Sequence, residues 1–342
     1  MCPLEPSPAA DHGLWIITGR AEPLDELRRL WNERNILGLR WPNPFVSPAW
    51  IDAWKETLGA DADIFALSAW EGQAVLGALP LMIHGDAARF AGDPDIFDYF
   101  DAVVIPGAEE KAASLLLEAA HRQGLPSLDL GPVRPDSFVH THLTETARSQ
   151  GLEVFVQPEA VTVEMELPDT WDGYLQRLSG KQRHEVRRKM RRLEEAGAVS
   201  FRIHTDPHDV ERALPVFFEL FKSNRRDKAG FLTQSMRSYF QSLCRAMSRE
   251  GMVRLSLLEL DGRSIAGTLC LDDGKVIYLY NNGYDAAYGA VSAGWVSKVF
   301  TIRDAVELGR ERYEFLRGDE VYKFRLGGGE VQLFRVRIHM RG

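Results

Sequence analysis

The chain has 342 residues, longer than the about 250–300 at which one hydrophobic core usually stops growing, so two domains are expected. A formal net charge of -8 argues against nucleic acid as the principal partner. The opening Met1-Cys-Pro-Leu-Glu-Pro-Ser-Pro8 has no basic or apolar signal region, and no apolar run approaches the ~20 residues that cross a bilayer, which points to the cytoplasm.

In chain order, hydrophobic periodicity and turn residues predict a strand over Leu14–Thr18 and helices near Leu24–Asn35 and Pro48–Leu58. Strands over Ile64–Trp70 and Ala74–Ile83 come next, then a helix from about Glu109 to Gln123 and a strand over Ser127–Leu130. A helix ending at Gly151 and strands within Leu152–Leu167 complete the first half. The second half repeats the order: a strand over Val199–Thr205, a helix over Pro207–Asn224 bearing Val210, Leu214, Phe217, Phe218 and Phe221, and a helix over Ser235–Arg249. Strands over Val253–Leu260, Ser264–Leu271 and Val276–Asn281 form a meander turned by Asp261-Gly262 and Asp272-Asp-Gly274. Ser292 then reads as the N-cap of a helix ending at Gly309, before strands over Tyr313–Leu316 and Val331–His339.

Glu71-Gly-Gln-Ala-Val-Leu-Gly-Ala-Leu-Pro-Leu81 aligns with Asp261-Gly-Arg-Ser-Ile-Ala-Gly-Thr-Leu-Cys-Leu271, with Gly72/Gly262, Gly77/Gly267, Leu79/Leu269 and Leu81/Leu271 in register. Together with the repeated element order, this predicts a duplicated fold. Boundaries fall at 1–168, a connecting segment 169–197 and 198–342. Cys2, Cys244 and Cys270 are too few and scattered for a disulfide framework or zinc cluster; Cys244 and Cys270 read as small buried hydrophobes. The histidines have no carboxylate or thiol in metal-ligand spacing, so no metal is expected.

The connecting segment contains the densest positive charge. Ser179-Gly-Lys-Gln182 carries a capping signal, and Leu178, Gln182, Val186, Met190 and Leu193 form one stripe of the helix that Gly197 ends. Lys181, Arg183, His184, Arg187, Arg188 and Arg191 lie off that stripe. Such a face is either solvated or holds an anion, for which Lys181, Arg183 and Arg187 are the candidates.

The doubled order, with Asn43-Pro-Phe-Val-Ser-Pro-Ala-Trp50, Ala78-Leu-Pro-Leu81, Asp98-Tyr-Phe-Asp101, the basic helix and Leu316-Arg-Gly-Asp-Glu-Val-Tyr-Lys-Phe-Arg325, resembles a known family. It is similar to tandem GNAT acyltransferases, in particular the CelD-like (cellulose-biosynthesis) acetyltransferases, and to the FemABX aminoacyl transferases. The resemblance implies an α/β (α+β) fold of two GNAT-like domains with mixed, largely antiparallel sheets. It further implies that an acyl-CoA, acetyl-CoA for example, lies along a splayed strand edge with its pyrophosphate at the next helix N-terminus. On this chain those positions are Tyr280, Asn281, Gly289, Ser292, Ala293 and Gly294, although the family's Arg/Gln-x-x-Gly-x-Gly/Ala spacing is missing. Ser292-Ala-Gly294 also reads as a plain N-cap followed by a small packing residue.

GNAT-type transfer has the amine attack the thioester directly, with a base for the amine proton and an acid for the leaving thiolate. Asp93, Asp95, Asp98 and Asp101 crowd a segment shared with Phe97, Tyr99 and Phe100, where mutual repulsion would suit a base; a solvated acidic loop is the other reading. Asp98 and Asp101 are the candidate bases there, beside Tyr99 for substrate. In Arg317-Gly-Asp-Glu-Val-Tyr-Lys323, Asp319 is a further candidate base and Tyr322 the acid. Arg317, Glu320 and Lys323 are candidates for substrate, or brace the turn as ion pairs. The expected activity is acyl transfer from acyl-CoA to an amine of a small, anionic or envelope-precursor acceptor. A FemABX-like aminoacyl-tRNA donor and a catalytically degenerate scaffold in polysaccharide synthesis are the alternatives.

Overall fold

The computed structural model describes residues 17–224 and 232–340. Cys2 and the first residues of the strand expected from Leu14 lie outside them. The first half runs β1 (Ile17–Pro23), α1 (Leu24–Asn32), α2 (Arg34–Leu37), α3 (Pro48–Thr57), β2 (Ile64–Glu71), β3 (Ala74–His84), β4 (Ala87–Phe90) and β5 (Val103–Val104). It continues through α4 (Glu109–Arg122), β6 (Ser127–Val133), a π-helical stretch (Val139–Leu143), α5 (Thr144–Ser149) and β7 (Glu153–Glu166). After α6 (Trp171–Arg177) and α7 (Gly180–Glu194) the order recurs in β8 (Val199–His204), α8 (Pro207–Asn224), α9 (Gln234–Arg249), β9 (Val253–Leu260), β10 (Arg263–Asp272) and β11 (Val276–Tyr284). The last elements are α10 (Ala293–Glu307), β12 (Arg312–Arg317), α11 (Val321–Arg325) and β13 (Gly329–His339). Among the described residues, no helix is long and apolar enough to cross a membrane.

Every strand belongs to one mixed sheet, ordered β1-β2-β3-β4-β6-β13-β7-β12-β11-β10-β9-β8 with β5 on β3. The halves exchange strands at its centre. β13, the last strand, lies between β6 and β7 of the first half, while β7 pairs with β12 of the second. The aligned hairpins are β2–β3 and β9–β10, with Gly72 and Gly262 at φ 61° and 76°, values that glycine reaches without Cβ strain.

In each half one strand pair is parallel and short. β4 meets β6 only at Ala88↔Leu128 and Arg89↔Asp129, and β11 meets β12 only over Val276↔Arg312, Ile277↔Tyr313 and Tyr278↔Glu314. Beyond those residues the strands diverge. In the first half β4 stops at Phe90, and the chain contacts β6 again only at a bridge from Phe100 to Val133. The intervening residues 91–99 loop out towards the second half.

One face of the sheet carries a continuous core from both halves, including Trp50, Phe97 and Leu116 with Phe217, Phe240 and Tyr278. The Asn43–Trp50 segment is its wedge. Asn43 Oδ1 accepts from Phe45 N–H at 3.0 Å to start a 3-10 turn over Pro44–Val46, and Ser47 Oγ accepts from Trp50 N–H at 3.3 Å to start α3. The Trp50 ring then meets the Tyr280 ring edge-on at 4.9 Å, tying the halves together. On the opposite face α10 packs with α6 and α7. Cys244 and Cys270 are free and buried, as their sequence contexts suggested.

The basic helix α7 begins as expected, with a reciprocal cap between Ser179 and Gln182. Val186 and Leu193 are buried and Met190 half-buried against Trp295 and Val296. It therefore flanks α10 of the second half, on the sheet face opposite the core that joins the halves.

Candidate active site

The site is built where β11 and β12 part. After Tyr278 the register of β11 on β10 slips by one residue, pairing Leu279 with Cys270 and Asn281 with Leu269. Tyr280 is thus the extra residue of a β-bulge, which bends the strand and turns its backbone away from the ladder. Among the described residues, Asn281–Tyr284 pair with β10 on one side and with no strand on the other.

Opposite it, β12 ends in a turn held in unusual backbone geometry. Leu316 and Gly318 have φ 63° and 100°, the first costly for a residue with a Cβ. The Lys323 ammonium secures this turn: Nζ donates to the carbonyls of Leu316 at 2.9 Å, Arg317 at 2.5 Å and Gly318 at 3.0 Å, and pairs with Glu320 at 2.9 Å. Burial lowers its pKa despite the Glu320 carboxylate. Lys323 and Glu320 are thus committed to the turn, because the carbonyls consume the ammonium's three donors. Sequence had offered both for substrate; the bracing alternative describes what they do.

Into the gap between the two strands comes the looped segment of the first half. Asp98 Oδ1 accepts the Arg317 backbone N–H at 2.9 Å and lies 3.7 Å from Arg317 Nε. The Arg317 guanidinium also donates to the Pro94 carbonyl. Tyr280 Oη donates to the Ile96 carbonyl at 3.2 Å. Asp95, Ile96, Asp98, Ala160, Tyr280, Asn281, Arg317 and Gly318 line a cavity of about 440 Å³. A neighbouring cavity of about 410 Å³ shares Ala160 and Gly318 and adds Glu159, Asp319 and Gln332, so the two form one cleft.

Burial raises the Asp98 pKa, with the Arg317 guanidinium opposing it. A carboxylate desolvated in this way is a stronger base than one in water. Tyr322 lines neither cavity of the cleft; it packs beside Phe315 with its ring 4.8 Å from Lys298 Nζ, which in turn donates to Asn282 Oδ1 at 3.0 Å. Burial pushes the Tyr322 phenol upward, so it keeps its proton at neutral pH.

The Asp98-Tyr-Phe-Asp101 cluster divides rather than acting as a unit. Tyr99 is 1% exposed, edge-on to Phe45 at 5.3 Å, and lines no part of the cleft. Phe100 stacks on Phe90 and Phe97. Asp101 accepts the backbone N–H groups of Phe138 at 3.0 Å and Val139 at 3.1 Å, and burial raises its pKa to about 6. It lines a separate polar cavity with Arg134, Asp136 and Ser137. Asp101 and Tyr99 therefore have structural surroundings, whereas Asp98 and the exposed Asp319 share the cleft.

Past the free edge, Ser292 takes the expected N-cap position of α10, its carbonyl accepting the Val296 N–H at 2.9 Å, but it has φ 58° and its side chain makes no capping bond. Gly294 is explained by packing: a Cβ there would lie 2.3 Å from the Tyr284 ring. Gly289 is exposed with open space where a Cβ would be, and Ala293 is buried. Lys181 and Arg187 are exposed and Arg183 donates to the Leu175 carbonyl at 3.3 Å; none of them lines the cleft.

Sequence reasoning passed over Glu314, fully buried at the sheet centre between Arg134 at 3.1 Å and Arg312 at 3.3 Å. Its strand reads as an ordinary apolar–polar alternation, which gives no sign that the polar face is covered. Lys298, buried in the middle of α10, was also passed over.

Residues 180–324 match the family profile described as an acetyltransferase (GNAT) domain. No curated protein matches the chain in sequence. Among solved structures it is similar to FemX, at 14% identity and TM-score 0.64, over 90% of this chain and 95% of that one. It is also similar to a conserved protein of unknown function from Bacteroides thetaiotaomicron (11% identity, TM-score 0.56, 90% and 97% covered). A third is the C-terminal domain of a putative lysylphosphatidylglycerol synthetase from Agrobacterium fabrum (12% identity, TM-score 0.52, 77% and 81% covered). At such identities the structures speak for fold alone. Domain match and fold together bear out the expected GNAT-type fold, with an acetyltransferase (GNAT) domain over residues 180–324 of a fold shared with FemX.

Proposed function

We propose that the protein transfers an acyl group from acyl-CoA to an amine in the cleft between β11 and β12. The observation that carries this reading is the bulged free edge of β11 facing a largely buried carboxylate, Asp98, that the other half delivers. The pantetheine arm lies along Tyr280–Gly283, with the pyrophosphate towards Ser292–Gly294. Acetyl-CoA is the simplest donor.

The amine nitrogen adds to the thioester carbonyl carbon, and its proton passes to Asp98, directly or through a water. Backbone N–H groups of the bulge stabilise the oxyanion. The C–S bond then breaks, and Tyr322 protonates the departing thiolate. Asp319 and Arg317, both on the cleft wall, orient the acceptor. The CelD-like segments support an envelope- or polysaccharide-precursor amine as that acceptor.

Acetyl-CoA at millimolar concentration is expected to raise the melting temperature by mass action, and addition of an amine panel to release free thiol. No stabilisation and no thiol release would reject the proposal. The specific feature favouring an aminoacyl-tRNA donor instead is the exposed arginine face of α7 beside α10, together with the missing pyrophosphate-loop spacing. That reading predicts a gel shift with tRNA that weakens steeply with salt.

A further inference from the structure

The charge of the reaction cleft is opposite to that of the acceptor expected from the basic helix. Asp95, Asp98, Glu159 and Asp319 line its two cavities, against the single guanidinium of Arg317, and no residue of α7 lines either. Cations around the cleft are already matched: Arg317 lies 3.7 Å from Asp98, Arg335 pairs with Glu159, and Lys323 pairs with Glu320 at 2.9 Å. Lys323 also feels Asp98 and Asp319 electrostatically, but the turn carbonyls and Glu320 occupy its donors. Asp95 and Asp319 are exposed, and among the described residues no cation pairs with them, so two negative charges are left over.

Hydrogen-bonding capacity points the same way. In the first cavity Asp98 is 15% exposed; its Oδ1 takes the Arg317 N–H, and its Oδ2 has no hydrogen-bond partner among the described residues. So nearly buried an oxygen calls for a donor from a ligand. In the second cavity the polar side chains are Glu159, Asp319 and Gln332. Gln332 Nε2 donates to the carbonyls of Ala160 at 2.7 Å and Leu333 at 2.9 Å, which spends both amide protons and leaves Oε1 to accept. These side chains therefore offer acceptors and no free donor. An ammonium, with three donors and no acceptor, is the complementary group. Because the cavities meet at Ala160 and Gly318, one flexible molecule can occupy both.

We propose that the acceptor is a diamine or polyamine: one nitrogen reacts beside Asp98, and a second, protonated nitrogen is held in the second cavity by Asp319, Glu159 and Gln332. This substrate class rests on the acyl-transfer reading. Acylation forms the amide C–N bond and breaks the C–S bond; the amine proton goes to Asp98 and CoA leaves as the thiol. The product is a singly acylated amine whose other ammonium stays in place. Asp319 is then the residue that sets acceptor specificity.

Two measurements on the full chain test it, kcat/KM for thiol release from acetyl-CoA and calorimetric affinity, each with cadaverine, spermidine, pentylamine and δ-aminovalerate. Cadaverine or spermidine should exceed pentylamine about fivefold in both, the upper end for a partly exposed ion pair, and δ-aminovalerate should fall below pentylamine. Asp319→Asn should remove the polyamine advantage and Asp319→Lys should place δ-aminovalerate above cadaverine, each variant checked for a cooperative melt. Equal values for cationic and uncharged tails, or a polyamine preference that survives both substitutions, overturns the substrate class and leaves acyl transfer standing if thiol is released. An advantage of δ-aminovalerate over pentylamine in the wild type restores the anionic acceptor. Polyamine binding with the expected variant pattern but no thiol release upholds the cationic subsite and rejects the acyl-transfer reading.

Discussion

Asp98 and Asp101 are separated by only two residues, yet their surroundings assign them different tasks. Asp98 faces the free strand edge, so Asp98→Asn should lower kcat/KM by about 10²–10⁴-fold, the usual contribution of a general base, while acetyl-CoA still stabilises the fold. Because Arg317 holds down a pKa that burial raises, Arg317→Met should push the acidic limb of the rate profile to higher pH. An unshifted limb would detach Asp98 from the chemistry. Asp101→Ala instead orphans the Phe138 and Val139 N–H groups, and should cost about 1–3 kcal/mol of stability in denaturant melts with turnover retained. Sequence made the two acids look alike because repulsion between neighbouring carboxylates is visible in spacing. Which side of the sheet each would face was not.

At the scale of elements, turn and cap chemistry was the most legible part. The capping box at Ser179, the glycine turns of both hairpins and the order of strands all appear where expected. Less legible were β4 and β5, short strands for which periodicity predicted no element, since their pairing depends on partners outside the strand itself. The β12–α11 turn was read as a possible ligand site because its charges are dense; the structure shows Lys323 spending its donors on carbonyls that Leu316 and Gly318 hold in strained geometry. Lys323→Met should therefore destabilise the protein by about 1–3 kcal/mol through lost carbonyl partners, and lower kcat more than it alters KM by loosening Arg317. Gly294→Ala should act on the other side of the gap. Its methyl would collide with Tyr284, and the helix shift needed to relieve it should weaken acetyl-CoA binding more than acceptor binding.

For the whole molecule, duplication was visible in the sequence but strand exchange was not, because periodicity identifies a strand without naming its neighbour. With β13 seated between β6 and β7, fragments 1–168 and 169–342 should not melt as independent domains but should associate when expressed together. Independent cooperative melts of both would contradict this. The same central region contributes one pH-dependent part of the stability. Burial raises Glu314 from 4.5 to about 8, so the native state binds a proton that the unfolded chain releases over that interval. The resulting stability is present below pH 4.5 and lost as pH rises through about 8, the opposite of a salt-bridged acid with a depressed pKa. Glu314→Gln should flatten that decline in denaturant midpoints measured across the interval.

In the proposed reaction one half lends a base to the other half's thioester. Thiol release from acetyl-CoA with a saturating amine, measured against pH for the wild type and Asp98→Asn, examines that most directly. The wild-type rate should rise with pH to a plateau as Asp98 loses its proton, and the variant rate should be low and lack this limb although acetyl-CoA still raises its melting temperature. A variant that keeps both the rate and the limb would contradict it.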